Sequence, residues 1–215
     1  MLTQVQLKKM FTLQDSMNSK INPLWLQAGN DWTLAAMQEC CEAIDHHGWK
    51  WWKNQTPDLP QLQMELVDIW HFGLSKILTN YKGDINKAVR IIDANCAEEV
   101  FFDSKAFQYE NQSLLQNLKL MAGLFASDRF EVNLFNHIVG QSGMTTDDLY
   151  KQYIGKNVLN FFRQDNGYKD GSYIKDWNGK EDNEVLVELM SDLDMNDSSI
   201  DLTLYNKLKV EYSLI

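Results

Sequence analysis

Residues 62–78 read LQMELVDIWHFGLSKIL, and wound as a helix this run is apolar around most of its circumference. Such a helix belongs at the centre of a fold. Pro60 is tolerated in a first helical turn, so the pattern predicts a helix from about 60 to Asn80. Within it, Glu65 and Asp68 stand three residues apart and therefore share a face.

N-terminal to this run, a second helix is expected from an N-cap at Asn30 or Asp31 to His47, with Gly48 as its stop. A first helix is expected over 3–19, where Leu2, Val5, Met10, Leu13 and Met17 recur at helical spacing. Further on, 84–102, 105–125, 128–140 and 145–164 read as helices, QDNGYKDGSYIKDWNGKEDNE (164–184) as an ordered loop, and the tail as one or two more helices. All three prolines precede residue 61, and strongly alternating runs are scarce. The expected fold is all-α, one domain over 1–215: a helical bundle with a carboxylate metal site between adjacent antiparallel helices. Residues 84–150 are a candidate second helical lobe, and 181–215 an acidic C-terminal extension.

With 215 residues, 44% of them hydrophobic, the chain can bury a substantial core. A formal charge of -10 and the lack of a Lys/Arg run argue against a nucleic-acid polymer as partner. A small phosphorylated ligand stays compatible, because bound divalent cations reverse the local sign of an acidic site. Cys40, Cys41 and Cys96 form neither a C-x-x-C pair nor an even count. No stretch reaches the apolar length of a membrane span, and the N-terminus lacks the apolar run of a signal peptide. A cytoplasmic protein is expected.

Glu39 and Glu42 repeat on the second helix the spacing of Glu65 and Asp68 on the third. An unpaired carboxylate inside so apolar a helix costs several kcal/mol. Apart from Lys76, no basic residue on these helices is placed to compensate it, so the two pairs together read as an all-oxygen cage for Mg²⁺, with Mn²⁺ as a substitute. Exposed charges on amphipathic helices are the bland alternative. A di-iron site is another, since Asp68 and His71 form one acid-x-x-His motif, but such sites need that motif on two helices. His46 and His47 at a helix C-terminus also suit the helix dipole.

Gln14 and Asn18, in LQDSMN, lie one turn apart and offer mixed donors and acceptors to a base edge. Trp49, Trp51 and Trp52 alternate with Lys50 and Lys53, so one tryptophan is expected to face ligand. In GKNVLNFFRQDNGYK (155–169), Asn157, Asn160 and Arg163 share a helical face close to Lys156, Tyr168 and Lys169. That polar, basic face suits phosphate and sugar contacts, and equally an exposed helix end.

In order and content, LQDSMN, ECCEAIDHHGWKWWK, LQMELVDIWHF and GKNVLNFFRQDNGYK resemble the dimeric dUTPase family, within the all-α nucleoside triphosphate pyrophosphatases. The resemblance implies an all-α homodimer that cleaves dUTP, and dUDP as a further candidate, to dUMP with Mg²⁺. It assigns Glu39, Glu42, Glu65 and Asp68 to the metal, and Glu39 to accepting the proton of a water that attacks the β-phosphorus. Gln14 and Asn18 would read uracil, with Trp51 packed near it and His71 approaching the deoxyribose. Asn157 and Asn160 would complete the nucleotide site, and Lys53, Lys156, Arg163, Tyr168 and Lys169 would meet the phosphates. A pyrophosphatase of another pyrimidine triphosphate and a catalytically silent binder stay open beside this reading.

Overall fold

The structure is a computed structural model describing residues 2–94, 96–191, 193 and 199–215. Among these residues are nine α-helices: α1 (Gln4–Ile21), α2 (Trp32–His47), α3 (Leu59–Asn80), α4 (Ile85–Asp93), α5 (Leu114–Ala126), α6 (Val132–Gln141), α7 (Thr146–Asp165), α8 (Asp182–Ser191) and α9 (Ile200–Tyr212). Two antiparallel hairpins accompany them, β1 (Glu99–Phe102) with β2 (Lys105–Gln108), and β3 (Asp176–Trp177) with β4 (Lys180–Glu181). The protein is mainly α, as its sequence predicts. No helix among the described residues is long and apolar enough to cross a membrane.

Local chemistry sets the helix ends. Thr3 and Gln6 form a reciprocal capping box at α1, while Asp31 and Asp58 each accept an N-terminal amide of α2 and α3. Gly48 closes α2 at φ 80°, a conformation that an L side chain rarely adopts.

Two contacts show that α2 and α3 run antiparallel. The Asp58 amide donates to the His46 carbonyl at one end, and Trp32 Nε1 donates to Thr79 Oγ1 at the other. Helix α3 is central, with Leu62, Leu66, Trp70, Leu74 and Leu78 among its buried residues. At Gly73 the helix meets the Phe130 ring so closely that a Cβ would overlap it. Helices α1 and α7 lie alongside in parallel register, tied by Gln6 to Asp147, Gln14 to Tyr153 and Lys20 to Asp165. Residues of α4, α5 and α6, including Ala88, Leu118 and Phe135, join the same apolar core as α1 to α3.

The segments expected to be helical over 84–102 and 105–125 are shorter helices separated by a hairpin. Asp103 and Ser104 both take positive φ, the geometry of a two-residue turn that matches strand twist. Asn178 and Gly179 do the same inside the segment read as a loop. Val5, expected on the buried face of α1, is exposed, and Leu7, Met10 and Phe11 fill that role.

A second apolar core lies on the far side of α7. Val158, Leu159 and Phe162 pack there with Tyr173, Trp177, Val185, Leu186, Met190, Leu204 and Leu208. Phe162 meets the rings of Trp177, Tyr205 and Tyr212 edge-on at 5.9, 5.4 and 5.3 Å.

Candidate active site

The antiparallel pairing of α2 and α3 brings the two carboxylate pairs face to face. Oxygens of Glu39, Glu42 and Glu65 converge to within 4.8 Å of one another. Burial, followed by repulsion from Asp68, Glu65 and Glu42, pushes the Glu39 carboxyl up to about 8. Burial and the neighbouring acids likewise push Glu65 up to about 7. His46 Nε2 lies 3.6 Å from Glu65 Oε1 at the edge of this group.

Asp68 stands beside the three glutamates with a cation of its own. Lys156 Nζ, from α7, is 3.0 Å from Asp68 Oδ2. Compensation sought on α2 and α3 thus comes for Asp68 from a helix far along the chain, while the glutamates stay crowded. Their hard oxygen donors, with the raised carboxyl pKa values of Glu39 and Glu65, fit a divalent cation. Among the described residues the metal-capable group includes no histidine.

Next to the acids, a cavity of about 350 Å³ opens between α1, α3 and α7. Asp68 lines it, as do Gln14, Asn18 and His71. Those three side chains belong to a closed hydrogen-bonded ring. Gln14 Nε2 donates to Asn18 Oδ1 at 3.1 Å, Asn18 Nδ2 to Ser75 Oγ at 2.9 Å, and Ser75 Oγ to the His71 carbonyl at 3.0 Å. His71 Nδ1 lies 2.8 Å from Gln14 Oε1, and the Tyr153 hydroxyl is 3.0 Å from the same oxygen.

Since Gln14 Oε1 can only accept, the His71 proton sits on Nδ1 and leaves Nε2 as an acceptor. Nε2 is buried and has no hydrogen-bond partner. Burial, aided by Lys156, lowers the His71 pKa to about 3, so the ring is neutral. Each amide also keeps one N–H beyond the ring. Beyond its own bonds the ring therefore holds two N–H donors and one buried acceptor.

Not all of the late motif behaves alike. Asn160, Arg163 and Tyr168 line the cavity. Arg163, however, is buried and commits Nε and Nη2 to the two oxygens of Asp182, each at 2.8 Å, and Nη1 to Asn160 Oδ1 at 3.2 Å. Asn157 is fully buried beside Tyr153, with neither amide atom in well-formed hydrogen-bond geometry. Lys169 donates to the Ile21 carbonyl at 3.3 Å. Lys53 is exposed, and Trp51 is 88% exposed with its ring edge-on to Trp52. Neither lines the cavity.

The aromatic wall comes from a different place. Trp25 and Trp32, edge-on to each other at 5.8 Å, line the cavity with Phe72, Asn22 and Asn30. Within the segment NPLWLQAGNDW (22–32), only Asn30 and Asp31 carry an expectation from sequence, as helix caps. Its signal was two tryptophans interleaved with amides, in the short link between the helix of Gln14 and Asn18 and the helix of Glu39 and Glu42.

A family model described as dUTPase matches residues 6–168, which include every residue named here as a candidate for the site except Lys169. No curated protein matches the chain.

Proposed function

The chain belongs to the all-α dimeric dUTPase family, and from that membership we propose that it hydrolyses dUTP to dUMP and diphosphate with Mg²⁺ held by Glu39, Glu42, Glu65 and Asp68. Its enzymatic class, dUTP diphosphatase, follows from the family. The observation that carries the finer reading is a cavity lined both by fixed polar groups and by Asp68, which stands beside the crowded glutamates.

Two donors and one acceptor match in kind the edge of uracil, whose N3–H lies between two carbonyls. Cytosine would direct a ring nitrogen lone pair at the His71 acceptor instead. Trp25, Trp32 and Phe72 supply apolar faces for the base, Asn160 a polar group for the sugar, and Lys156 a positive charge for the phosphates. Arg163 and Tyr168, which line the cavity, are proposed nucleotide contacts as well, and Trp51, Lys53, Asn157 and Lys169 are proposed on the family resemblance alone.

Magnesium, when bound, supplies positive charge to the phosphate oxygens and acidity to water. Offset by that charge, Glu39 loses its own proton and can accept one from the attacking water. Attack at the β-phosphorus breaks the bond to the bridging oxygen on the α side, releasing dUMP and diphosphate. The same attack on dUDP releases dUMP and phosphate, so dUDP is proposed as a second substrate. A cytoplasmic homodimer completes the reading, and light scattering tests the dimer.

Product analysis with dUTP, dUDP, dTTP, dCTP, UTP and ATP, with Mg²⁺ and with a chelator, tests the whole. Monophosphate from the deoxyuridine nucleotides alone, stopped by chelation, is expected. Preference for dCTP would overturn the base-edge argument, and full activity in chelator would overturn the metal.

A further inference from the structure

The buried pair Arg163–Asp182 joins the cavity wall to a part of the chain beyond the family match. Asp182 opens α8, is fully buried, and is bonded on both oxygens: Oδ2 accepts from Arg163 Nε and from the Tyr173 hydroxyl at 2.8 Å each, and Oδ1 from Arg163 Nη2 at 2.8 Å. A planar guanidinium held at two adjacent nitrogens has no rotational freedom left. The direction of its third nitrogen is then set. Arg163 Nη1 donates to Asn160 Oδ1, so the Asn160 carbonyl is occupied and its amino group is left for the cavity.

An ion pair with a purely structural role would end on itself. This one continues through Arg163 to a residue on the nucleotide wall. We propose that Asp182, held by Tyr173, is a positioning residue that acts through Arg163 to orient the Asn160 amide toward bound nucleotide. Tyr173 and Asp182 thus buttress the active site from beyond the family match. The proposal rests on the reading that Asn160 faces the nucleotide.

The test is a set of steady-state KM and kcat values for dUTP in Asp182→Asn, Tyr173→Phe and Asn160→Ala, with both double variants that include Asn160→Ala. Asp182→Asn should raise KM about tenfold, and Tyr173→Phe, which keeps the ion pair, about threefold. Both rises should vanish in the Asn160→Ala background, where the group being oriented is gone. A merely structural Asp182 would lower Tm and the active fraction while leaving KM unchanged. If Asp182→Asn does not fold, Tyr173→Phe decides alone. An unchanged KM in a folded variant, or an equal rise with and without Asn160, would overturn the proposal. A wild-type KM in Asn160→Ala would overturn it together with the reading of Asn160, while dUTP hydrolysis by the wild-type chain tests the activity separately.

Discussion

Glu39→Gln should make the chelated protein more stable while abolishing turnover. Glu39 moves from an ordinary 4.5 to about 8 on folding, which would correspond to about 5 kcal/mol without screening. The carboxyl is only half-buried and water reaches it, which reduces the effect to roughly 1–2 kcal/mol. In a chain of this size that is a rise in Tm of about 2–8 °C. The sign follows from proton linkage: between 4.5 and about 8 the folded state holds a proton that the unfolded state has released, so the wild type loses stability as pH rises through that window. Glutamine never ionises, so its advantage should be present at pH 8 and absent near the unfolded value. Melting curves in chelator at both pH values, with dUTP turnover in Mg²⁺, provide the assay. A Tm at or below wild type at pH 8 would refute the crowding argument, and near-normal turnover would refute the role of Glu39 as base.

Lys156→Met removes the ammonium 3.0 Å from Asp68. It should lower Tm in chelator by about 2–5 °C and enlarge the stabilisation that Mg²⁺ gives, both read from melts. Gly73→Ala drives a methyl group into the Phe130 ring, so a loss of about 1–3 kcal/mol in denaturant unfolding is expected with KM unchanged. Trp32→Ala should raise the KM for dUTP about tenfold, the scale of one base stack, with kcat within about threefold; a wild-type KM would remove Trp32 from the site. Burial alone would lift the Asp182 carboxyl, but its bonds to Arg163 hold it below the usual range. Its stabilisation is therefore complete above about pH 4 and lost as acid takes the pH below the folded value, so melts over acid pH should fall more steeply for wild type than for Asp182→Asn.

Helix positions were legible where one periodicity and one cap agreed. Asp31 and Gly48 bracket α2 within a residue of expectation, and the apolar girth of 62–78 identified the central helix. The hairpin at 99–108 was missed because Asp103–Ser104 is a weak turn signal inside an apolar run that also suits a helix. Asn178–Gly179 is a strong one, masked by the polar residues around it. At the site, sequence spacing put Glu39 with Glu42 and Glu65 with Asp68, and Gln14 with Asn18. It could not reveal Lys156 reaching Asp68 from 88 residues away, nor Ser75 and Tyr153 completing the ring around Gln14. Those contacts depend on how α1, α3 and α7 lie side by side. The partner of Arg163 was hidden for the same reason, since Asp182 looked like one of many acids in the tail.

Helix α7 offers Asn160, Arg163 and Gln164 to the cavity from one flank, and seats Val158 and Phe162 in the second core from the other. One extra residue between Tyr153 and Arg163 would rotate everything after it by about 100°, carrying cavity groups toward the second core and core aromatics toward the cavity. Point changes can be absorbed one side at a time, but changes in length cannot. Across related chains, insertions and deletions should therefore gather before Thr146 and after Asp165 and spare the helix between them, a pattern of inheritance set by geometry as much as by chemistry.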